Sequence, residues 1–221
     1  MGLTLKKLLG AEFLTNPAFT HAVTHRSMGR NNNERMEFLG DSVLGLIITQ
    51  ALYEQLPDAV EGYLSRLRAS LVNEGVLAEI ANELNLGDQL RLGSGELKSG
   101  GFRRKSILAD ALEAVIASVY LTQGFEAART FVLALFERRL QNLPAENDLK
   151  DPKSRLQEYL QSQGHPVPVY NLIATTGDAH KQTFTAECLV DALKLRTEAQ
   201  AGSRRKAEQL CATAAIEALK L

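Results

Sequence analysis

Apolar residues recur every three to four positions through the first ~140 residues, the period of helices that bury one face. The pattern predicts a short amphipathic segment over 3–9 and a helix opened by Asn16-Pro17, with proline at its first position. A polar loop over 25–33 leads into a long central helix over 34–55, ended by Leu56-Pro57-Asp58. Leu64, Leu67, Leu71, Val76, Leu77 and Ile80 keep helical spacing through 62–84. Glycines at 93, 95, 100 and 101 interrupt the rhythm over 87–101, which reads as a connection. Two further helices are expected over 106–122, with Ser106 as N-cap, and over 125–140.

The rhythm then changes. Residues 142–151 are polar, hold Pro144 and lack periodicity, as a flexible linker does. Beyond them a helix is expected over 152–163, stopped by Gly164-His165-Pro166. Three strand-like runs follow over 169–176, 183–190 and 193–199, and a last helix runs through Leu219. The expected fold is therefore two domains, an all-α domain over 1–141 and an α+β domain of order αβββα over 152–221.

Composition narrows the class. Hydrophobic residues make up 45% of the 221, enough for real cores. Lys and Arg total 25 against 26 Asp and Glu, so any polyanion binding must come from local patches. Two cysteines, Cys188 and Cys211, exclude a disulfide framework and a Cys-rich zinc site, and fit a reducing, cytoplasmic setting. No signal peptide or membrane span is expected.

Candidate chemistry starts in the central helix. Glu34, Glu37 and Asp41 stand at i, i+3 and i+7, on one helical face. Asp41 runs into Val43, Leu44, Leu46, Ile47 and Ile48, where a buried carboxylate is costly unless paired with a cation. The 106–122 helix adds Asp110 and Glu113, three apart among small or apolar neighbours. Two acids three apart usually mark a solvated face, and Glu34 fits that bland role. Glu37, Asp41, Asp110 and Glu113 are the set expected to converge, and such hard oxygen donors suit Mg²⁺ or Mn²⁺, not zinc. Gly40 and Gly45 each cost about 1 kcal/mol inside a helix, a cost that close helix–helix approach would explain.

The second domain carries a different signal. Arg204, Arg205 and Lys206 open the last helix, where the helix dipole favours acids. A solvated charged cap is the bland account. Free N–H groups and three cations at one helix start also make a phosphate site. Gln157, Glu158 and Gln161 share the polar side of the 152–163 helix, suited to 2′-hydroxyls and minor-groove edges, and His180 lies in the first strand turn.

The stretch Glu34-Arg35-Met36-Glu37-Phe38-Leu39-Gly40-Asp41-Ser42-Val43-Leu44 resembles the signature of bacterial ribonuclease III. The Asp110–Glu113 helix resembles that family's second acidic segment, and residues 93–101 its intervening loop. Residues 152–220, with Ser203-Arg204-Arg205-Lys206-Ala207-Glu208-Gln209, resemble a double-stranded RNA-binding domain. The resemblance implies a homodimeric, Mg²⁺-dependent endonuclease that cuts double-stranded RNA, leaves 5′-phosphate and 3′-hydroxyl ends, and processes precursor rRNA and other structured transcripts. It implies Asp41 and Glu113 as the residues most essential to turnover, with Glu37 and Asp110 completing the metal set. It implies Phe38 as a plug into the partner subunit, against ordinary intrachain packing, and Glu61 as an approximate match to an acidic residue near the dimer contact. Two other classes compete: a non-catalytic duplex-RNA binder, and a helical phosphohydrolase acting on small nucleotides.

Overall fold

The computed structural model describes residues 4–178 and 181–220, and His180 lies outside them. The chain forms two compact units that divide between Pro144 and Ala145.

Helices build the first unit: α1 (Leu5–Leu9), α2 (Pro17–Ala22), α3 (Glu34–Gln55), α4 (Glu61–Leu71), α5 (Glu74–Glu83), α6 (Ser94–Lys98), α7 (Lys105–Gln123) and α8 (Phe125–Leu140). Asn16 caps α2 by accepting from the Ala18 N–H at 2.8 Å, with Pro17 in the first turn. α7 is apolar on nearly every face and lies at the centre, packed against α3, α5 and α8. By length and composition it would cross a membrane, but most of it is buried in protein, and that burial accounts for its apolarity. Leu44, Ile47, Ile48 and Leu52 of α3 meet Leu108, Leu112 and Ile116 of α7 in the core, all fully buried.

The structure corrects several sequence expectations. The 62–84 stretch is two helices, because Asn73 competes with the backbone: its Oδ1 accepts from the Val76 N–H at 3.1 Å and starts α5. The glycine-rich connection contains the helical turn α6 and two 3₁₀ turns. Ser106 lies inside α7, whose cap position is Arg104 with no side-chain cap.

The second unit spans α9 (Glu146–Leu149), α10 (Pro152–Ser162), β1 (Val169–Thr176), β2 (Thr183–Val190), β3 (Leu195–Ala201) and α11 (Arg204–Leu219). The sheet is antiparallel in the order β1-β2-β3, with Tyr170 opposite Cys188 and Cys188 opposite Thr197. β3 begins later than its sequence pattern suggests, since Asp191–Leu193 forms a 3₁₀ turn closed by left-handed Lys194. Leu156 and Leu160 of α10 pack with Ala186, Cys188 and Val190 of β2 and with Ala207, Cys211 and Ala215 of α11. Both cysteines are free and buried.

Candidate metal centre and nucleic-acid face

Glu37 sits in the first turn of α3, where the helix dipole favours a carboxylate. The Asn33 side chain holds that end in place by donating to the Ala22 carbonyl at 3.0 Å. One turn further on, Gly40 is buried against α7, and a β-carbon there would overlap the Glu113 backbone carbonyl. This contact brings α3 to α7 closely enough for their acids to meet. Gly45 has open space at the same test, so close packing explains only the first of the two helical glycines.

Glu37, Asp110 and Glu113 each place one carboxylate oxygen within 4.8 Å of the others, and all three are half-buried. Opposite ligands of an octahedral Mg²⁺ stand about 4.2 Å apart, so small rotamer adjustments would let one ion touch the set. The three acids also repel one another. Burial first, then Asp110 and Glu34, raise the Glu37 carboxyl above its usual range. Burial and Glu74 raise that of Asp110, against opposing pulls from Arg26 and His25. Glu113 is pushed up to about 8, by burial and then by Asp41, Glu37 and Asp110. Such uncompensated charge suits a divalent cation, and the all-oxygen donor set fits Mg²⁺ or Mn²⁺.

Asp41 departs from the sequence expectation. It is exposed, not buried among the apolar residues that follow it. It lies outside the convergent trio, yet its charge is the largest Coulombic contribution acting on Glu113. Standing four residues after Glu37 keeps it on the Glu37 face, while Val43, Leu44, Ile47 and Ile48 turn inward.

A pocket of about 240 Å³ adjoins the acids, lined by His25, Arg26, Asn33, Glu96 and Arg104 beside Glu37 and Asp110. His25, Arg26 and Asn33 carry no role in the sequence reading, because the polar loop of 25–33 has no periodicity to read, whereas the basic turn that holds Arg104 reads equally as solvated surface or as a face toward a polyanion. The loop is held by the Ser27 Oγ, which accepts from the Gly93 N–H at 2.8 Å, and the His25 Nδ1 lies 2.9 Å from the same oxygen.

Phe38 projects from α3 with 79% of its surface exposed, which removes the intrachain-packing account. Leu46 and Tyr53 are exposed further along the same helix. Glu61, in the first turn of α4, accepts from the Ser65 hydroxyl at 2.6 Å and takes no part in the acidic trio.

In the second unit Gln157, Glu158 and Gln161 are exposed on α10, opposite the buried Leu156 and Leu160. Glu158 is paired with Lys150 at 2.6 Å, and Lys150 also reaches Glu146 at 3.1 Å. Arg204, Arg205 and Lys206 are exposed at the start of α11, where the Ser203 Oγ accepts from the Lys206 N–H.

Residues 16–140 match the ribonuclease-III-like family model, and residues 152–219 match the double-stranded RNA binding motif. Ribonuclease 3 of Shewanella halifaxensis is 53% identical over 98% of this chain and 96% of its own length. The chain belongs to the ribonuclease III family. Ribonuclease 3 of Hahella chejuensis is likewise 53% identical, over 97% of this chain and 95% of its own. The nuclease domain of ribonuclease III from Campylobacter jejuni, a structure described for flexibility in a region involved in dimer formation, is 45% identical. It superposes with a TM-score of 0.59, covering 62% of this chain and 97% of that one. The acidic trio thus belongs to a ribonuclease III fold, and the basic helix start to a double-stranded RNA-binding motif.

Proposed function

We propose that this protein is an endoribonuclease that hydrolyses double-stranded RNA with a divalent metal, as a homodimer, leaving 5′-phosphate and 3′-hydroxyl ends. The meeting of Glu37, Asp110 and Glu113 within 4.8 Å, in a ribonuclease III fold, carries the proposal. Mg²⁺ is the proposed ion, with Mn²⁺ as a substitute, held by these three acids. When bound, such an ion activates water and neutralises charge on the cleaved phosphodiester. Asp41 and Glu113 are the residues proposed as most essential to turnover: Glu113 at the centre of the negative field, Asp41 at its solvent-facing rim. Arg26, which opposes the raised carboxyls of Glu37 and Asp110, would attract the phosphate backbone toward the acids.

Duplex RNA would be gripped by the second unit. Arg204, Arg205 and Lys206 meet phosphates, Gln157, Glu158 and Gln161 meet the minor groove, and His180 is proposed as a further contact from the first strand turn. The homodimer is supported by exposed Phe38, which stands beside a groove lined by Met36, Leu39 and Leu121. A two-fold arrangement would place each Phe38 in the other subunit's groove, with Glu61 near the contact. Precursor rRNA and structured mRNA and tRNA precursors, in the cytoplasm, are the proposed setting, in keeping with two free thiols.

The test is incubation of the protein with a long RNA duplex in Mg²⁺ or in chelator, alongside Glu113→Ala. Scission should require Mg²⁺, and the variant should bind the duplex without cutting it. Binding without scission by the unaltered protein in Mg²⁺ would make it a non-catalytic binder. Normal turnover by Glu113→Ala in saturating Mg²⁺ would refute the metal assignment.

A further inference from the structure

Glu208 is a carboxylate with an unusual address. It lies on α11, four residues after Arg204, and only 8% of its surface is exposed. Its Oε2 accepts from the Lys153 Nζ at 2.7 Å, and its Oε1 accepts from the Arg204 Nε at 2.8 Å. Lys153 comes from the first turn of α10, and its ammonium also stands 4.2 Å from the centre of the Tyr170 ring on β1. One carboxylate thus ties together α10, the first turn of α11 and, through Lys153, the sheet. The two cations hold its carboxyl below the usual range, Lys153 contributing more than Arg204.

We infer that Glu208 is a positioning residue for duplex binding: with Lys153 it sets the basic first turn of α11 at a defined distance and angle from the polar face of α10. The inference rests on the proposed RNA-binding role of the second unit. A rigid A-form duplex offers phosphates and minor groove at spacings fixed by its own geometry. Two protein faces that must engage it together gain from being locked to one another beforehand. The Glu208 contact also orients Arg204 without consuming it. It uses Nε, so the two terminal nitrogens of the guanidinium remain for a phosphate.

The sign of the effect separates this role from a bystander's. Removing a negative charge beside a polyanion site tightens binding if long-range electrostatics is all that matters. Positioning requires the opposite. Glu208→Gln is expected to weaken duplex binding about tenfold, within the coupling range of hydrogen-bonded networks. The slope of log affinity against log salt should stay near that of the unaltered protein, because Arg204, Arg205 and Lys206 are all still present. In cleavage assays KM should rise with kcat retained. Lys153→Met provides a second route. It should reproduce the loss, and the double variant should bind no more weakly than either single one. Thermal unfolding, followed alongside, identifies a variant that fails to fold, and the other variant then decides. Equal or tighter binding by folded Glu208→Gln overturns the inference, as does strict additivity in the double variant. If the unaltered protein does not bind duplex RNA, the RNA-binding reading fails instead.

Discussion

Replacing Glu113 by glutamine should stabilise the metal-free protein at alkaline pH while abolishing cleavage. Glutamine keeps the shape of the side chain and removes its charge. In the folded protein the Glu113 carboxyl is raised from 4.5 to about 8. Between those values the folded state holds a proton that the unfolded chain has released, so stability falls as pH rises through the window. The penalty is absent below about pH 4.5 and complete above about pH 8. At about 1.4 kcal/mol per tenfold change in proton affinity, its ceiling is about 5 kcal/mol. Glu113 is half-buried, and solvent relaxation around it brings the expected penalty to about 2 kcal/mol. The variant should therefore unfold about 5–10 °C above the unaltered protein at pH 8.5 in chelator, and close to it at pH 4.5. Added Mg²⁺ should raise the unfolding temperature of the unaltered protein and much less that of the variant. Thermal unfolding by circular dichroism at the two pH values, with and without Mg²⁺, reads all of this. A gap between the proteins that does not widen with pH, or equal stabilisation of both by Mg²⁺, would refute the convergent-carboxylate account.

Three other outcomes are expected. Gly40→Ala should cost about 1–3 kcal/mol in thermal stability and most of the turnover, since its β-carbon would force α3 away from the Glu113 carbonyl; a variant as stable and active as the parent would contradict that packing. Phe38→Ala should weaken dimerisation by about 2 kcal/mol or more, measured by sedimentation equilibrium, with little loss of monomer stability because the ring is largely exposed; an unchanged dimer constant counts against the plug. Arg205→Ala with Lys206→Ala should weaken duplex binding and lower the salt slope by about one for each lost phosphate contact; a salt slope equal to the parent's would remove both residues from the interface.

Much of this architecture is written in local pattern. Helical spacing marked α3 and α8 almost to their ends, and alternation marked β2, because those elements bury one face and the burial repeats with their own geometry, while the nearly continuous apolar run of α7 reflects burial on most of its faces. Two misreadings fell at local breaks in the backbone. Asn73 splits a continuous apolar stripe by capping α5, and left-handed Lys194 delays β3. A stripe of leucines records which face turns inward and not whether the rod is continuous.

The sequence by itself determined that Glu37 and Asp41 share one helical face and that Asp110 and Glu113 share another, because spacing on a helix follows from its pitch. Only the tertiary structure decided that the two faces meet through Gly40, that Asp41 stays at the solvent rim, that Phe38 points outward, and that Glu208 joins two distant helix starts. Those facts depend on how one helix is rotated against another. Rotation is set by the packing of the whole core, and no local stretch of residues contains it.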